Sequence, residues 1–367
     1  LWLLVSTLAM ALMSLTAHPV VFPSVDQRHS TQRHMDGFVD DTTVWVNDIY
    51  QDLISGSKAP VLSSRLHQSA QWWEELLSTT GGALELPKCF YYIISFAFNK
   101  EGAPSLQSPE DLDLPPISIR DSTTGDVAAI RMKPPNQSHR TLGVMQSPDL
   151  SSTGEFDRLF RMVADENRKV IPFRLNPSDS MTYMYCILRP KLTYSGPITN
   201  MSRRQWQQIQ RPIQITLLNN LGFPRSFPLA AVFGPVSDGG LGFVDGFTEQ
   251  GLHHVQSLLY HIRAQTDLGN MLLVTLSWAQ RFSGYSTSLL TDPSLPVEHV
   301  PSPWLATTLH YLEINDCHMV VDHPGITLLQ RLHDKAIMDE TRVLPARHRK
   351  AINRCRLFLK ATSFADL

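Results

Sequence analysis

Two adjacent aspartates, Asp40 and Asp41, are the residues in this sequence best suited to chemistry. Their like charges repel each other in a tight turn, so we expect a positive partner beside them. A divalent cation, Mg²⁺ or Mn²⁺, would supply that charge, because such ions take carboxylate and phosphate oxygens as ligands. Two ions together can activate an attacking hydroxyl and stabilise a leaving group. By itself, however, the dipeptide is more typical of an ordinary polar turn.

The runs on either side of the pair predict a β-hairpin. Residues 38–39 and 43–46 are short β-prone runs, and the aspartates between them would lie at the hairpin tip. A helix is predicted over 59–80, because its apolar residues recur at helical spacing and a glycine pair ends the pattern. Residues 88–98 are rich in aromatic and β-branched types, which predicts one buried strand.

The remainder of the chain changes from strands to helices. A further hairpin is predicted over 117–132, with its turn at residues 123–126. From about residue 153 onward the pattern is mainly helical, and the fold class is therefore α+β. One apolar stripe in this region has helical spacing and predicts a helix. Its members are Leu252, Val255, Leu259 and Ile262.

Composition excludes several classes of protein. The 367 residues carry 32 Lys and Arg against 34 Asp and Glu, so a nucleic-acid-binding function must depend on local clusters. Four widely spaced cysteines exclude a disulfide scaffold and a zinc motif, and they favour a reducing compartment. The apolar stretch 1–13 is interpreted as a buried helix of a domain whose beginning is missing; a signal-peptide core is the alternative.

The acidic hairpin resembles a motif of reverse transcriptases. Phe38-Val39-Asp40-Asp41 is similar to the aromatic-x-Asp-Asp motif of the reverse transcriptase palm. After the predicted helix, residues 81–89, Gly-Gly-Ala-Leu-Glu-Leu-Pro-Lys-Cys, resemble the next palm motif, which carries a lysine near the nucleotide phosphates. Segments at 221–225, 233–242 and 352–357 extend the likeness. The chain thus resembles the C-terminal half of retroelement reverse transcriptases over most of its length.

This resemblance implies a fold and a site. Residues 1–116 would form a truncated right-hand polymerase palm of antiparallel strands with packed helices, and 117–152 a connecting hairpin with a primer-grip-like turn. Residues 153–290 would form a mainly helical thumb-like region, and 291–367 a C-terminal helical extension. Asp40 and Asp41 would be catalytic metal ligands. Lys88 would lie near the triphosphate and protonate pyrophosphate, although a strand-start lysine facing solvent is an equal alternative.

The other essential palm carboxylate is expected upstream, but residues 1–25 contain no Asp or Glu. We therefore expect a fragment that begins inside the palm and is inactive as an isolated chain. The intact parent would bind RNA or DNA template-primer and deoxynucleoside triphosphates, without a membrane, in the cytoplasm or nucleus. The sequence identifies no protein partner. The alternative is a non-catalytic retroelement remnant that binds nucleic acid or protein.

A local cluster also points to nucleic acid. Residues 180–237 contain no Asp or Glu but hold several Lys and Arg residues with interleaved aromatics. Such a surface can follow a phosphate backbone while aromatic rings stack on bases. Arg203, Arg204, Arg211 and Trp206 are the predicted contacts. An ordinary solvated helix face is the alternative.

Overall fold

The computed structural model describes most of the chain. The described residues are 11, 19–38, 41–47, 59–100, 104–296, 298–323, 326, 328 and 331–367. The fold is α+β, with about 49% helix and small sheets. The chain divides into two compact units. The first unit comprises 1–23, 30–138 and 147–149, and the second comprises 24–29, 139–146 and 150–367.

The first unit contains short strand pairs and one long helix. Three pairs are antiparallel: β1 (Val20–Pro23) with β2 (Ser30–Arg33), β3 (Met35–Phe38) with β4 (Asp41–Val44), and β6 (Phe96–Phe98) with β7 (Pro104–Leu106). A three-stranded sheet has the order β5 (Phe90–Tyr91), β9 (Val127–Met132), β8 (Ile117–Arg120), with β5 parallel to β9. The helices are α1 (Ala59–Thr79) and α2 (Pro109–Leu112).

The predicted helix over 59–80 and the hairpin over 117–132 are both confirmed as α1 and β8–β9. The hairpin turns at Gly125, whose φ of 78° favours glycine. The Asp121 carboxylate accepts hydrogen bonds from the backbone amides of Thr123 and Thr124, at 2.7 and 2.9 Å. Buried Glu74 of α1 accepts from the amide of Ser122, at 3.0 Å, and so joins the helix to this turn.

The predicted single strand over 88–98 is wrong. Residues Leu86–Lys88 form a short 3-10 helix, and two separate strands, β5 and β6, follow it in different sheets. Ile93 is buried between the two strands, whereas Phe98 is 70% exposed. The run has aromatic residues along its whole length, but only part of it packs against an apolar core. Sequence composition alone does not reveal which part that is.

The second unit has one hairpin followed by helices. The hairpin pairs β10 (His139–Thr141) with β11 (Val144–Gln146). The helices are α3 (Thr153–Phe173), α4 (Pro177–Tyr183), α5 (Arg189–Thr193), α6 (Arg203–Asn220), α7 (Leu229–Phe233), α8 (Gly246–Arg263), α9 (Asp267–Ser283), α10 (Pro303–Ile314) and α11 (Ala346–Phe358). A π-helical segment, Met184–Leu188, joins α4 to α5. Three 3-10 turns complete the unit, at Val236–Asp238, Asp339–Thr341 and Phe364–Asp366.

Two apolar clusters hold the helices of this unit together. In the first, Leu159 and Val163 of α3 lie among Ile209, Ile213 and Leu217 of α6, and all five are buried. The second cluster joins α8, α9 and α10, with the turn residues that follow α9. Burial of such side chains stabilises each by roughly 1.5–3 kcal/mol, so this core fixes α6 as a rigid element.

Helix α8 is confirmed where the apolar stripe predicts it, but its fully buried residues lie beside that stripe. Leu252 and Leu259 are 43% and 40% exposed. The buried face instead carries Gln250, His254 and Leu258. Polar side chains can be buried here because Gln250 and His254 find hydrogen-bond partners on other elements, which a helical hydrophobicity pattern does not record.

The predicted helical region, which starts at 153, lies within the longest continuous stretch of the second unit, 150–367. The predicted divisions at 116 and 290 do not coincide with a division between units, since β8 shares a sheet with β5 and the second unit continues to Leu367. Within the part of the chain that the structure describes, no helix combines the length and apolarity needed to cross a membrane.

Candidate nucleic-acid interface

A β-hairpin forms in this region, as predicted, but its strands lie earlier in the chain than the predicted runs 38–39 and 43–46. Strands β3 and β4 pair antiparallel, with Phe38 in register with Asp41 and Asp36 in register with Thr43. Asp41 is the first residue of β4 and is exposed. Asp40 lies outside the described residues. The structure therefore locates one of the two predicted metal ligands, at the beginning of the returning strand.

The other described carboxylate of this hairpin, that of Asp36, is already engaged. Asp36 accepts hydrogen bonds from Arg33 Nε and from the indole Nε1 of Trp45, each at 2.7 Å to Oδ2. Over the described residues, no group of three or more His, Cys, Asp or Glu side chains could hold a metal ion. The described residues alone do not provide the donor set of a Mg²⁺ or Mn²⁺ site.

Lys88 is exposed at the end of the 3-10 helix Leu86–Lys88. Pro87 stands at the start of this short helix, where its missing amide is tolerated, and Cys89 follows it in extended conformation. No hydrogen bond or ion pair between described residues connects Lys88 to the β3–β4 hairpin. Its placement agrees with a lysine facing solvent, and its predicted role near a triphosphate stays a prediction.

The three predicted arginines share one helix. Arg203, Arg204 and Arg211 all lie on α6 and are exposed, and Gln207 and Gln208 between them are exposed as well. Arg204 and Arg211 are seven positions apart and lie on the same side of the helix, whereas Arg203 lies about 100° around the helix axis from Arg204. We call the surface of Arg203, Arg204 and Arg211 the α6 arginine face. None of the three makes an ion pair with another described residue.

The first turn of α6 is unusual in its charges. Ser202 caps the helix by accepting from the Gln205 amide, at 3.3 Å, and Gln205 reciprocates by accepting from the Ser202 amide, at 2.9 Å. This first turn contains arginines and no acidic residue. Cations at a helix N-terminus oppose the helix dipole, by about 0.3–1 kcal/mol each. A bound anion would interact favourably with both the arginines and the dipole.

Trp206 does not belong to this surface. Its side chain is only 1% exposed, and its indole Nε1 donates to Gln250 Oε1 at 3.0 Å. Gly246 of α8 packs against the ring so closely that a Cβ there would lie 2.3 Å from the indole. The predicted stacking on nucleic acid requires an accessible ring. We therefore correct the assignment of Trp206 to that of a core residue that positions α6.

Gln250 is the residue that holds this end of α6, and sequence inspection missed it. Its Oε1 accepts from the Thr199 hydroxyl and the Met201 amide, at 3.0 and 3.1 Å, in addition to Trp206. Its Nε2 donates to the Met201 carbonyl, at 2.9 Å. Met201, which lies just before α6, is thus held by hydrogen bonds to both its backbone amide and its backbone carbonyl.

His254 lies one turn further along α8 and is completely buried. Its Nε2 lies 2.9 Å from the Thr199 carbonyl oxygen, which can only accept, so Nε2 carries the proton. Nδ1 lies 2.9 Å from the Thr308 hydroxyl oxygen, whose single proton also has the Trp304 carbonyl within 2.8 Å. Burial lowers the pKa of His254 to about 4, against the opposing effect of its backbone hydrogen bonds. The i, i+4 spacing of Gln250 and His254 is the one local signal that could have identified this pair.

Other basic residues of the segment 180–237 are neutralised within the unit. Arg189 pairs with Glu249, with 3.0 Å between Nη2 and Oε1, and Lys191 pairs with Glu166 at 3.1 Å between Nζ and Oε1. Burial tends to raise the pKa of Glu166, but hydrogen bonds from Tyr183, Lys169 and Lys191 outweigh it and lower the pKa to about 2. The unpaired positive charge is therefore concentrated on α6, with exposed Arg225 beyond its end.

Comparison of the chain with protein-family models, curated protein sequences and solved structures gave no match.

Proposed function

We propose that the chain is part of a retroelement reverse transcriptase whose second unit binds a nucleic-acid backbone through the α6 arginine face. The observation that carries this proposal is three exposed arginines on one rigid helix, none of them paired within the described structure. In this proposal residues 1–116 correspond to part of a palm and 153–290 to a thumb-like region. The protein would act in the cytoplasm or the nucleus.

The chemistry of binding follows from the guanidinium group. Each arginine can donate two parallel hydrogen bonds to a phosphate, and it releases condensed counterions when it does so. The α6 dipole adds to the attraction at the end where Arg203 and Arg204 lie. No base edge needs to be contacted, so this surface would bind without sequence preference.

The test is the salt dependence of oligonucleotide binding by the full chain. We expect the triple substitution Arg203→Gln, Arg204→Gln and Arg211→Gln to reduce the slope of log Kobs against log salt by about 2 on single strands. Affinity at low salt should fall with it. Fluorescence anisotropy across a series of potassium chloride concentrations measures both quantities.

A matched control uses arginines whose charge is already neutralised. Arg168 pairs with Asp165, and Arg189 pairs with Glu249. The double variant Arg168→Gln, Arg189→Gln should leave the salt slope close to that of the parent chain. Equal loss of slope in the triple variant and this control would show that general charge, and not the α6 arginine face, governs binding.

The catalytic part of the proposal concerns Asp40, Asp41 and Lys88 with Mg²⁺ or Mn²⁺, template-primer and deoxynucleoside triphosphates. It is supported by the motif resemblance and by the β3–β4 hairpin. Primer extension by the intact parent protein tests it, and Asp40→Asn should abolish extension while leaving oligonucleotide binding unchanged. Extension that survives this substitution would remove Asp40 from the mechanism.

A non-catalytic remnant that retains nucleic-acid binding is the second candidate. It is favoured by the hydrogen bonds that Asp36 accepts from Arg33 and Trp45, because a carboxylate occupied in this way is less available as a metal ligand beside Asp41. In that case the parent protein would show salt-dependent binding through α6 but no primer extension with either metal.

A further inference from the structure

Helix α11 is anchored to the second unit through one side. Its residues Asn353 and Arg356 are both buried. Asn353 Nδ2 donates to the carbonyl oxygen of Phe282, near the end of α9, at 3.0 Å, and Arg356 Nη2 donates to the same oxygen at 2.8 Å. Arg356 Nε also donates to Asn353 Oδ1, at 2.7 Å. These bonds determine which side of α11 faces the interior and which side faces solvent.

The solvent side of α11 carries a line of cations. Arg347, Lys350 and Arg354 are all exposed. An α-helix turns by about 100° per residue, so Arg347 and Arg354 lie about 20° apart around the axis, and Lys350 lies within about 60° of both. Phe358 lies on the same line, about 6 Å beyond Arg354 along the axis, and is 87% exposed. We call Arg347, Lys350, Arg354 and Phe358 the α11 stripe.

The three cations of the α11 stripe make no ion pair and no side-chain hydrogen bond with another described residue. By contrast, Arg349 lies on the opposite side of the helix from Arg347 and pairs with Glu298, at 2.8 Å between Nη2 and Oε1. Residues 341–365 contain no Asp or Glu. Like charges three and four positions apart on a helix repel each other, so a bound anion would relieve this repulsion.

The chemistry of the α11 stripe fits a single-stranded nucleic acid. A row of unpaired cations, about 10 Å long, complements the charge of a phosphate backbone. An exposed aromatic ring offers a face on which an unpaired base can stack. In a duplex the bases are already stacked on each other, so Phe358 favours a single strand.

An anionic membrane would also attract these cations, but the apolar residues of α11 argue against it. A helix that lies on a membrane buries a broad apolar face in the lipid. Ile352 of α11 packs instead against the second apolar cluster of the unit. Of the exposed residues of α11, Phe358 is the single large apolar one. The stripe is therefore better suited to a soluble polyanion than to lipid.

We propose that the α11 stripe binds single-stranded nucleic acid, as a second contact surface that shares no residue with the α6 arginine face. Arg347, Lys350 and Arg354 contact phosphates, and Phe358 stacks on a base beyond the last of them. Phosphate contacts carry no sequence information, and every base has a face that can stack. Binding at this surface is therefore without sequence preference.

The test separates charge from stacking, in fluorescence anisotropy titrations of the full chain with a single-stranded oligonucleotide. The triple substitution Arg347→Gln, Lys350→Gln and Arg354→Gln should reduce the slope of log Kobs against log salt by about 2, the value for three contacts on a single strand. Phe358→Leu keeps an apolar side chain but removes the ring. It should lower the affinity at least about fivefold and leave the salt slope unchanged. Affinity for a duplex should fall in the triple variant alone.

Matched controls come from the same unit. The triple substitution Arg168→Gln, Arg189→Gln and Lys335→Gln also removes two arginines and one lysine, but each of these is already paired with an acidic residue. The partners are Asp165, Glu249 and Glu340. This variant should keep the parent salt slope. Phe173→Leu removes a ring that is 74% exposed at the end of α3, and it should keep the parent affinity.

The proposal is wrong if the α11 triple variant keeps the parent slope, or if the control triple variant loses as much. It is also wrong if Phe358→Leu and Phe173→Leu bind the single strand equally well. A further arm uses vesicles that contain phosphatidylserine. Binding to vesicles that depends on the α11 stripe, without binding to the oligonucleotide, would assign the surface to a membrane and overturn the proposal.

A last arm separates this surface from the α6 arginine face. In a chain that already carries the three α6 substitutions, salt-dependent binding should persist and should be lost when the three α11 substitutions are added. Absence of binding before they are added would overturn the role of α11. If the α6 substitutions leave the slope unchanged while the α11 substitutions reduce it, the proposed function of α6 fails and that of α11 stands.

Discussion

Replacing Gln250 with methionine should destabilise the second unit by about 4 kcal/mol. The glutamine side chain makes four hydrogen bonds, to the Thr199 hydroxyl, to the amide and carbonyl of Met201, and to the Trp206 indole, at 2.9–3.1 Å. Each is worth about 1 kcal/mol net, and their partners stay buried when the amide is removed. Methionine has a similar volume, so the packing cost should stay below about 1.5 kcal/mol.

The measurement has a global and a local part. Urea unfolding gives the loss of stability, and native-state hydrogen exchange of the segment 199–206 shows whether the start of α6 opens more readily. The matched control is Gln214→Met, because Gln214 is also buried but no described residue hydrogen-bonds to its side chain. That variant should change stability by less than about 1 kcal/mol.

The reasoning would be refuted if Gln250→Met and Gln214→Met reduced stability equally. It would also be refuted if Gln250→Met left the exchange of residues 199–206 unchanged. Either result would mean that apolar packing between α3 and α6 fixes the helix without help from Gln250. The α6 arginine face would then be positioned by the core alone.

Two further changes test other parts of the second unit. The pKa of His254 falls from 6.5 to about 4 on folding, so the unfolded chain binds more protons than the folded chain between these pH values. The free energy of unfolding should therefore be at its full value above pH 6.5 and fall by about 3 kcal/mol as the pH drops to 4. Urea midpoints from pH 7 to pH 4 measure this, and a slope unchanged in His254→Gln would contradict it. In urea unfolding, Gly284→Ala should reduce the free energy of unfolding clearly more than Gly239→Ala does. Both glycines have φ near 80°, so the backbone strain of a new Cβ is the same. The Cβ at 284 would also lie 2.3 Å from Arg356 Cζ, whereas no atom lies within 4 Å of the Cβ at 239. Equal losses would show that Arg356 moves without cost.

Local signals in the sequence located the elements well. Helix α1 and hairpin β8–β9 were predicted because a glycine pair ends the first and a Gly-Asp turn closes the second. The β3–β4 hairpin was predicted because two short β-prone runs flank the pair of aspartates. Each of these features depends on residues within a few positions of one another, and such residues are visible in a sequence.

Burial was predicted less well, because it depends on partners far along the chain. Gln250 bonds to Trp206, 44 residues away, and His254 bonds to Thr308, 54 residues away. The apolar stripe of α8 did not identify its most buried residues, which include Gln250 and His254. The same long-range contact turned Trp206 from a candidate stacking residue into a core residue. For the acidic pair, the sequence predicted the hairpin but not which groups lie near it.

Predicting the α6 arginine face requires both local sequence signals and contacts between residues far apart in the chain. Its charges are visible in the sequence, but their value for binding depends on the rigidity that Gln250 and the apolar core give to the helix. Arg204 and Arg211 are separated by seven residues, or about 10 Å along the helix axis. That distance equals about three steps of a duplex strand. Sites this far apart act nearly independently, so Arg211 and the Arg203–Arg204 pair should contribute separately to the salt slope. A helix with a loose N-terminal turn could not keep that spacing, which is why loss of Gln250 should weaken binding even though it contacts no phosphate.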